Sequence, residues 1–263
     1  MNTRRQMIVS ACGRGGHGKT HFATTAPTPM QYLSIDPSTQ DAFDQMEIGP
    51  DAGITLVEFK KPIPSFWGDT KHVQQDAQEQ WEAFLKVNDD ILNGKTKPSP
   101  QTVVWDTATE FYDTAILGEF GRTEQLLYYQ RAIPNRIFSR LLDAYQSSGI
   151  NLVLLHRLKE RWVDEEKKVR TRGGGTEVKT ERVRDASQPF EREGFKKIEY
   201  IIQAEVFLSK RDAQDGGDLS DRFGMKVMKC TRRPSLEEVE WWGKTKKGRE
   251  KITFEWLYEA VFG

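Results

Sequence analysis

Apolar residues along this chain fall into short unbroken runs separated by longer stretches at helical spacing. The runs occupy residues 7–12, 30–36, 53–59, Thr102–Asp106 and Asn151–His156. Each is β-prone and too short for a helix, which predicts buried strands. Between them, residues 72–93 place Val73, Ala77, Trp81, Phe84, Leu85, Ile91 and Leu92 at mostly helical intervals. Residues 133–148 do the same with Ile137, Phe138, Leu141, Leu142 and Tyr145, with Pro134 near the start and Gly149 at the end. Residues 60–70, with Pro62, Pro64 and Gly68, read as loop. Further strands are expected at 200–208 and 223–230, and a short amphipathic helix at 254–262. Strands alternating with helices predict an α/β fold with a mostly parallel sheet covered on both faces.

The 263 residues suit one such domain, with 157–192 as a charged loop or hairpin and 200–263 as edge strands and a closing helix. No apolar run approaches the roughly 18 residues of a membrane span. The polar N-terminus leads directly into the first strand, so no secretory signal is expected. Cys12 and Cys230 are isolated and lack zinc spacing, which fits a reducing cytoplasm. Net charge is zero, but residues 1–150 carry 14 basic and 18 acidic residues and the remainder 25 and 21. That tilt directs attention to the second half without establishing a polyanionic partner.

The most specific stretch is 13–20, where Gly13, Arg14, Gly15, Gly16, His17, Gly18, Lys19 and Thr20 satisfy the phosphate-loop pattern G-x-x-x-x-G-K-[ST]. It follows a strand and, with Thr20, His21 and Phe22, opens a helix, an order that aims backbone amides at a phosphate chain. Lys19 is placed to reach β- and γ-phosphates, and Thr20 to bind Mg²⁺. The run ending in Asp106 has the form of a Walker B strand, making Asp106 the second candidate magnesium ligand. His156 closes another strand at the edge where ligands of open α/β sheets collect.

With its strands in this order, the chain resembles the RecA-like ATPase family, and within it the small single-domain enzymes that bacteriophages carry for single-strand annealing and recombination. The resemblance rests on the phosphate loop, on 33–36, on 103–107 and on 152–156. It implies ATP and Mg²⁺ as cofactors, assembly into a ring or filament, and His156 as a sensor of the γ-phosphate. It implies single-stranded DNA as partner of the charged segment, with Arg161, Trp162, Lys167, Lys168, Arg170, Arg172 and Lys179 as candidate contacts. It implies that Lys229, Arg232 and Arg233 reach a neighbouring subunit's nucleotide. The chain departs from the family where a water-orienting glutamate follows the second strand: Ser38 takes that place, leaving Asp36 or Glu110 as the base. An ATPase that acts on a protein partner, and a nucleotide-dependent binding module with little turnover, are the competing readings. No acceptor-site or lid motif favours a metabolite kinase.

Overall fold

The computed structural model describes residues 5–62, 70–123, 126–170, 176–210, 223–243 and 252–263. The chain forms two units, Met1–Arg157 with Gly194–Gly263, and Leu158–Glu193. The first contains β1 (Ile8–Cys12), α1 (Lys19–Thr24), β2 (Met30–Ser34), α2 (Thr39–Gln45), β3 (Ile54–Glu58), α3 (Thr70–Leu92), β4 (Thr102–Asp106), α4 (Ala108–Phe120), α5 (Ala132–Ser148) and β5 (Asn151–His156). The second contains β6 (Leu158–Glu160), β7 (Trp162–Arg170), β8 (Thr176–Arg184) and β9 (Phe190–Arg192). The chain then returns to the first unit with β10 (Ala204–Lys210), β11 (Phe223–Cys230), β12 (Glu240–Trp242) and α6 (Phe254–Phe262).

The sheet has eight strands in the order β12-β11-β10-β1-β5-β4-β2-β3. The six from β10 to β3 are parallel, and β11 and β12 add on antiparallel. This is the α/β class that the alternating runs predict, with a mostly parallel sheet flanked by helices. Period-2 alternation divides the central strands between two cores. Met7, Val9, Ala11, Val104, Val153 and Leu155 join Phe22 of α1 and Phe254 and Leu257 of α6. Ile8, Val103, Trp105, Leu152 and Leu154 join α3, α4 and α5 through Trp81, Phe84, Phe111 and Phe138. That second core is ring-rich: Phe84 stacks on Phe111 at 4.0 Å between centroids, and Trp81 lies parallel to Phe138 at 5.3 Å.

The buried Asn88 side chain inside this aromatic layer is satisfied. Asn88 accepts from the Trp105 indole at 3.2 Å and the Tyr145 hydroxyl at 2.6 Å, while its amide donates to the Phe84 carbonyl. Gly118 permits the close crossing of α3 over α4, because a Cβ there would lie 3.0 Å from the Gln78 Cα.

Three details depart from the sequence expectation. The run at 200–208 begins as a one-turn helix, Lys196–Tyr200, and the strand starts only at Ala204. Ile198 and Ile202 are drawn into the aromatic core instead of pairing in the sheet. α4 has no counterpart among the predicted elements: it is buried nearly all round, so no polar stripe marks its period. α2 is a further short helix after the Pro37 turn. Much of the expected loop, residues 63–69, lies outside the described residues. Among those described, no helix is long and apolar enough to cross a membrane.

The second unit is a two-stranded antiparallel hairpin, β7 with β8, together with the short β6–β9 pair. Its register sets Trp162 opposite Arg184, Asp164 opposite Arg182 and Lys167 opposite Lys179. The interleaved charges of this segment are therefore strand faces.

Candidate nucleotide-binding site

The loop 13–18 leaves the carboxyl end of β1 and turns into α1. Gly16 and Gly18 have φ of 73° and 82°, left-handed values that favour glycine. Gly13 is required by space: a Cβ would stand 2.9 Å from the Leu208 carbonyl oxygen. Above Gly15 and Gly16 a Cβ would meet no described residue within 4 Å, so among the described residues the outer curve of the loop is open. The Lys19 ammonium folds back on this curve and donates to the carbonyls of Gly13 at 2.8 Å and Arg14 at 3.0 Å. Burial lowers its pKa, and the nearby Asp106 and Asp36 carboxylates oppose that shift. His17 donates from Nδ1 to the Leu208 carbonyl at 3.2 Å, and burial lowers its pKa as well. α1 is only six residues long, so the loop amides and Lys19 carry the positive potential here.

Period 2 puts Tyr32 of β2 and Asp106 of β4 on the same side of the sheet as α1. The Tyr32 hydroxyl is buried and donates to Asp106 Oδ2 at 2.6 Å. The Thr20 hydroxyl lies close enough to the Tyr32 phenol to favour its ionised form. Thr20 and Asp106, the two residues expected to share a metal ion, thus both neighbour one phenol. Thr39 Oγ1 adds a longer contact to Asp106 Oδ2 at 3.4 Å and bonds Ser34 Oγ at 2.6 Å. Burial pushes the Asp106 carboxyl up to about 6, against the donors and Lys19 that favour its charge. Burial and the neighbouring Asp106 raise the Tyr32 phenol well above its usual value. The donor set fits magnesium, which takes hydroxyl and carboxylate oxygens and completes its shell with water and phosphate. Among the described residues no group of three or more His, Cys, Asp or Glu could hold a metal unaided.

A second buried carboxylate lies just beyond, across a cis Asp106–Thr107 peptide. Thr107 caps α4 by accepting from the Glu110 amide at 3.2 Å, and Glu110 is 4% exposed. Its Oε1 receives both the Lys61 ammonium and the Arg157 guanidinium. Its Oε2 is buried with no hydrogen-bond partner among the described residues. Arg157 is close enough to Lys19 to lower the lysine's pKa, so this cluster borders the phosphate loop. His156, paired with Cys12 in the β1–β5 register, is buried with Nδ1 3.4 Å from Thr109 Oγ1. Asp36 Oδ1 accepts from the Ser38 amide at 2.9 Å and the Ser38 hydroxyl at 2.7 Å, capping the turn into α2.

Tyr32, Thr39, Lys61 and Arg157 belong to this neighbourhood, and no sequence motif marks them. Tyr32 stands two residues before the end of a strand, and that offset is the one signal the sequence offers. The basic residues suggested for a neighbouring subunit have partners within the chain. Lys229 donates to the Glu199 carbonyl at 2.9 Å, Arg233 to the Ala260 carbonyl at 2.7 Å, and Arg232 lies 5.8 Å from the Phe262 ring centroid. In the hairpin unit, Lys167 pairs with Glu181 at 2.5 Å, Arg161 with Asp185 at 3.3 Å and Arg184 with Glu160 at 3.4 Å. Trp162 is 47% exposed. Arg172 and the side chains of Lys168, Arg170 and Lys179 lie outside the described residues.

No protein-family model and no curated protein matches the chain. Among solved structures, a KaiC-like protein from the hyperthermophilic archaeon Pyrococcus horikoshii OT3 aligns with TM-score 0.44 and 11% identity over 92% of this chain and 87% of its own. A prototypical ATPase from the type III secretion system of pathogenic bacteria aligns with TM-score 0.44 and 12% identity, over 80% of this chain and 54% of its own.

Proposed function

We propose that this chain is a RecA-like ATPase that binds ATP with Mg²⁺ in the loop 13–20 and hydrolyses it. The observation that carries the reading is the glycine cradle closed by Lys19, with Asp106 held by the buried Tyr32 hydroxyl and Thr20 next to that phenol. The loop amides and Lys19 bind the phosphates, and Lys19 exchanges the Gly13 and Arg14 carbonyls for phosphate oxygens. Thr20 and Asp106 hold the metal, which neutralises charge on the phosphates when bound. Glu110 orients the attacking water through its free Oε2, with Lys61 and Arg157 fixing the other oxygen. Asp36 serves as the turn cap. His156, at the strand tip beside Thr109, passes the state of the γ-phosphate to α4.

The partner in this reading is single-stranded DNA, in phage-type recombination, annealing or replication, with copies of the chain assembled in a ring or filament. The support is the sequence resemblance, together with surface cations on the core unit that no described acid engages. The test is phosphate release with and without single-stranded DNA, with light scattering followed alongside. Turnover that DNA stimulates and Lys19→Ala abolishes is expected. Turnover indifferent to DNA favours a protein partner. ATP retained without phosphate release favours a binding module.

A further inference from the structure

On the surface of the core unit, α5 and the one-turn helix Lys196–Tyr200 border a groove of about 370 Å³. Its lining is Ala132, Asn135, Arg136, Ser139 and Arg140 from α5, and Lys197 from the short helix. No carboxylate is among them. Arg136, Arg140 and Lys197 are exposed, and no ion pair engages any of them among the described residues. Asn135 already uses its Oδ1 to accept from Tyr112 at 2.6 Å, which leaves its amide as a donor. The groove therefore offers three cations, an amide and a hydroxyl, all able to donate to an anion.

Two arginines one helical turn apart repel each other, an unfavourable arrangement unless an anion joins them. Arg136 and Arg140 are about 6 Å apart along the helix axis, a spacing that can engage successive phosphates of an extended strand. Aromatic rings flank the same elements: Tyr129, just before α5, is 69% exposed, and Tyr200, at the end of the short helix, is 86% exposed. Cations that track a backbone beside exposed rings that stack on bases are what single-stranded nucleic acid binding requires. The hairpin unit differs, because Arg161, Lys167 and Arg184 are held by its own acids.

We propose that the α5 groove binds the phosphate backbone of a single-stranded nucleic acid, with Tyr129 and Tyr200 as stacking platforms. This deepens the DNA reading above and rests on it for the class of partner. It moves the contact from the charged hairpin to α5.

The test is fluorescence anisotropy of a labelled oligothymidylate against the full chain. Arg136→Ala/Arg140→Ala/Lys197→Ala is expected to weaken binding tenfold or more at about 0.1 M salt and to flatten the log–log salt dependence by about 2, the value for three lost phosphate contacts on a single strand. Arg136→Lys/Arg140→Lys keeps most of the affinity, which separates charge from fold. Lys167→Ala leaves affinity within about twofold, since its charge is already paired. A neutral-backbone analogue of the same sequence does not bind. Binding of ATP by the triple variant stays at the wild-type level, which excludes the groove as a second nucleotide site. If wild type binds the oligonucleotide and the triple variant binds it equally well, the groove assignment is overturned while the DNA reading stands. If wild type hydrolyses ATP yet binds no oligonucleotide, the DNA reading falls and the groove assignment with it.

Discussion

Asp106 and Glu110 are buried carboxylates four residues apart, and the chain treats them in opposite ways. Asp106 is surrounded by hydroxyls, from Tyr32 and Thr39, and its nearby cation Lys19 is committed to loop carbonyls. Burial wins there, and its carboxyl is lifted to about 6. Glu110 has two cations on one oxygen, Lys61 and Arg157, and no described residue on the other. One carboxylate is short of positive charge. The other has its charge matched but an oxygen unused. In the proposed function a metal ion answers the first need and a water molecule the second, so the electrostatics suits two similar side chains to different roles.

Removing Asp106 tests that division most severely. Asp106→Ala should lower magnesium-dependent turnover by about 10²–10³-fold, the scale of losing one preorganised electrostatic contact. Asp106→Asn should separate this loss from folding, because it ought to stabilise the protein without metal at neutral pH. The sign follows from a folded-state pKa raised above the unfolded one. The stability tied to the protonated form is complete below about pH 4 and disappears as pH rises through 6. Thermal melts should show Asp106→Asn gaining up to about 3 kcal/mol at pH 7 and almost nothing at pH 4. A destabilised Asp106→Asn at pH 7 would overturn the contrast with Glu110.

Glu110→Gln should reduce turnover about 10–100-fold while leaving MgATP affinity within threefold, since water positioning acts in the transition state. A parallel loss of affinity would make Glu110 a binding residue and erase the distinction. Tyr32→Phe should weaken magnesium affinity about 10-fold, the low end of the range for a metal ligand that loses an outer partner. That shift is read by metal titration of the nucleotide complex, independently of turnover. Lys61→Ala should matter least, at about 0.5 kcal/mol in melting, because Lys61 is 43% exposed and Arg157 still holds Glu110.

The loop and the strand ending in Asp106 are legible in the sequence because each needs contiguous residues in a fixed order. The phenol beside them is not. Tyr32 reaches Thr20 and Asp106 only after β2 pairs with β4 in the register that sets Ser34 against Asp106, and a single sequence does not state that register. α4 escapes notice because burial on every side removes the polar stripe on which helix reading depends. Arg157 reads as the start of the charged run, yet it belongs to the core unit and closes on Glu110. The α5 groove joins Arg136 and Arg140 to Lys197, far along the chain, so only folding brings its cations together. In the hairpin, Arg161, Lys167 and Arg184 of a conspicuous basic run instead pair with acids of their own unit.

The central claim is that the loop at 13–20 and the tip of β4 together hold a metal-bound nucleoside triphosphate. Calorimetric titration of MgATP into wild type, Lys19→Ala and Asp106→Ala, each with and without EDTA, measures that most directly. The account predicts a single site per chain in wild type that EDTA weakens. Lys19→Ala should lower affinity by about 10–100-fold, matching the loss of a charge-assisted contact. Asp106→Ala should bind ATP alike with and without EDTA. Wild type that takes up no MgATP, or an Asp106→Ala variant that keeps the full magnesium effect, would contradict it.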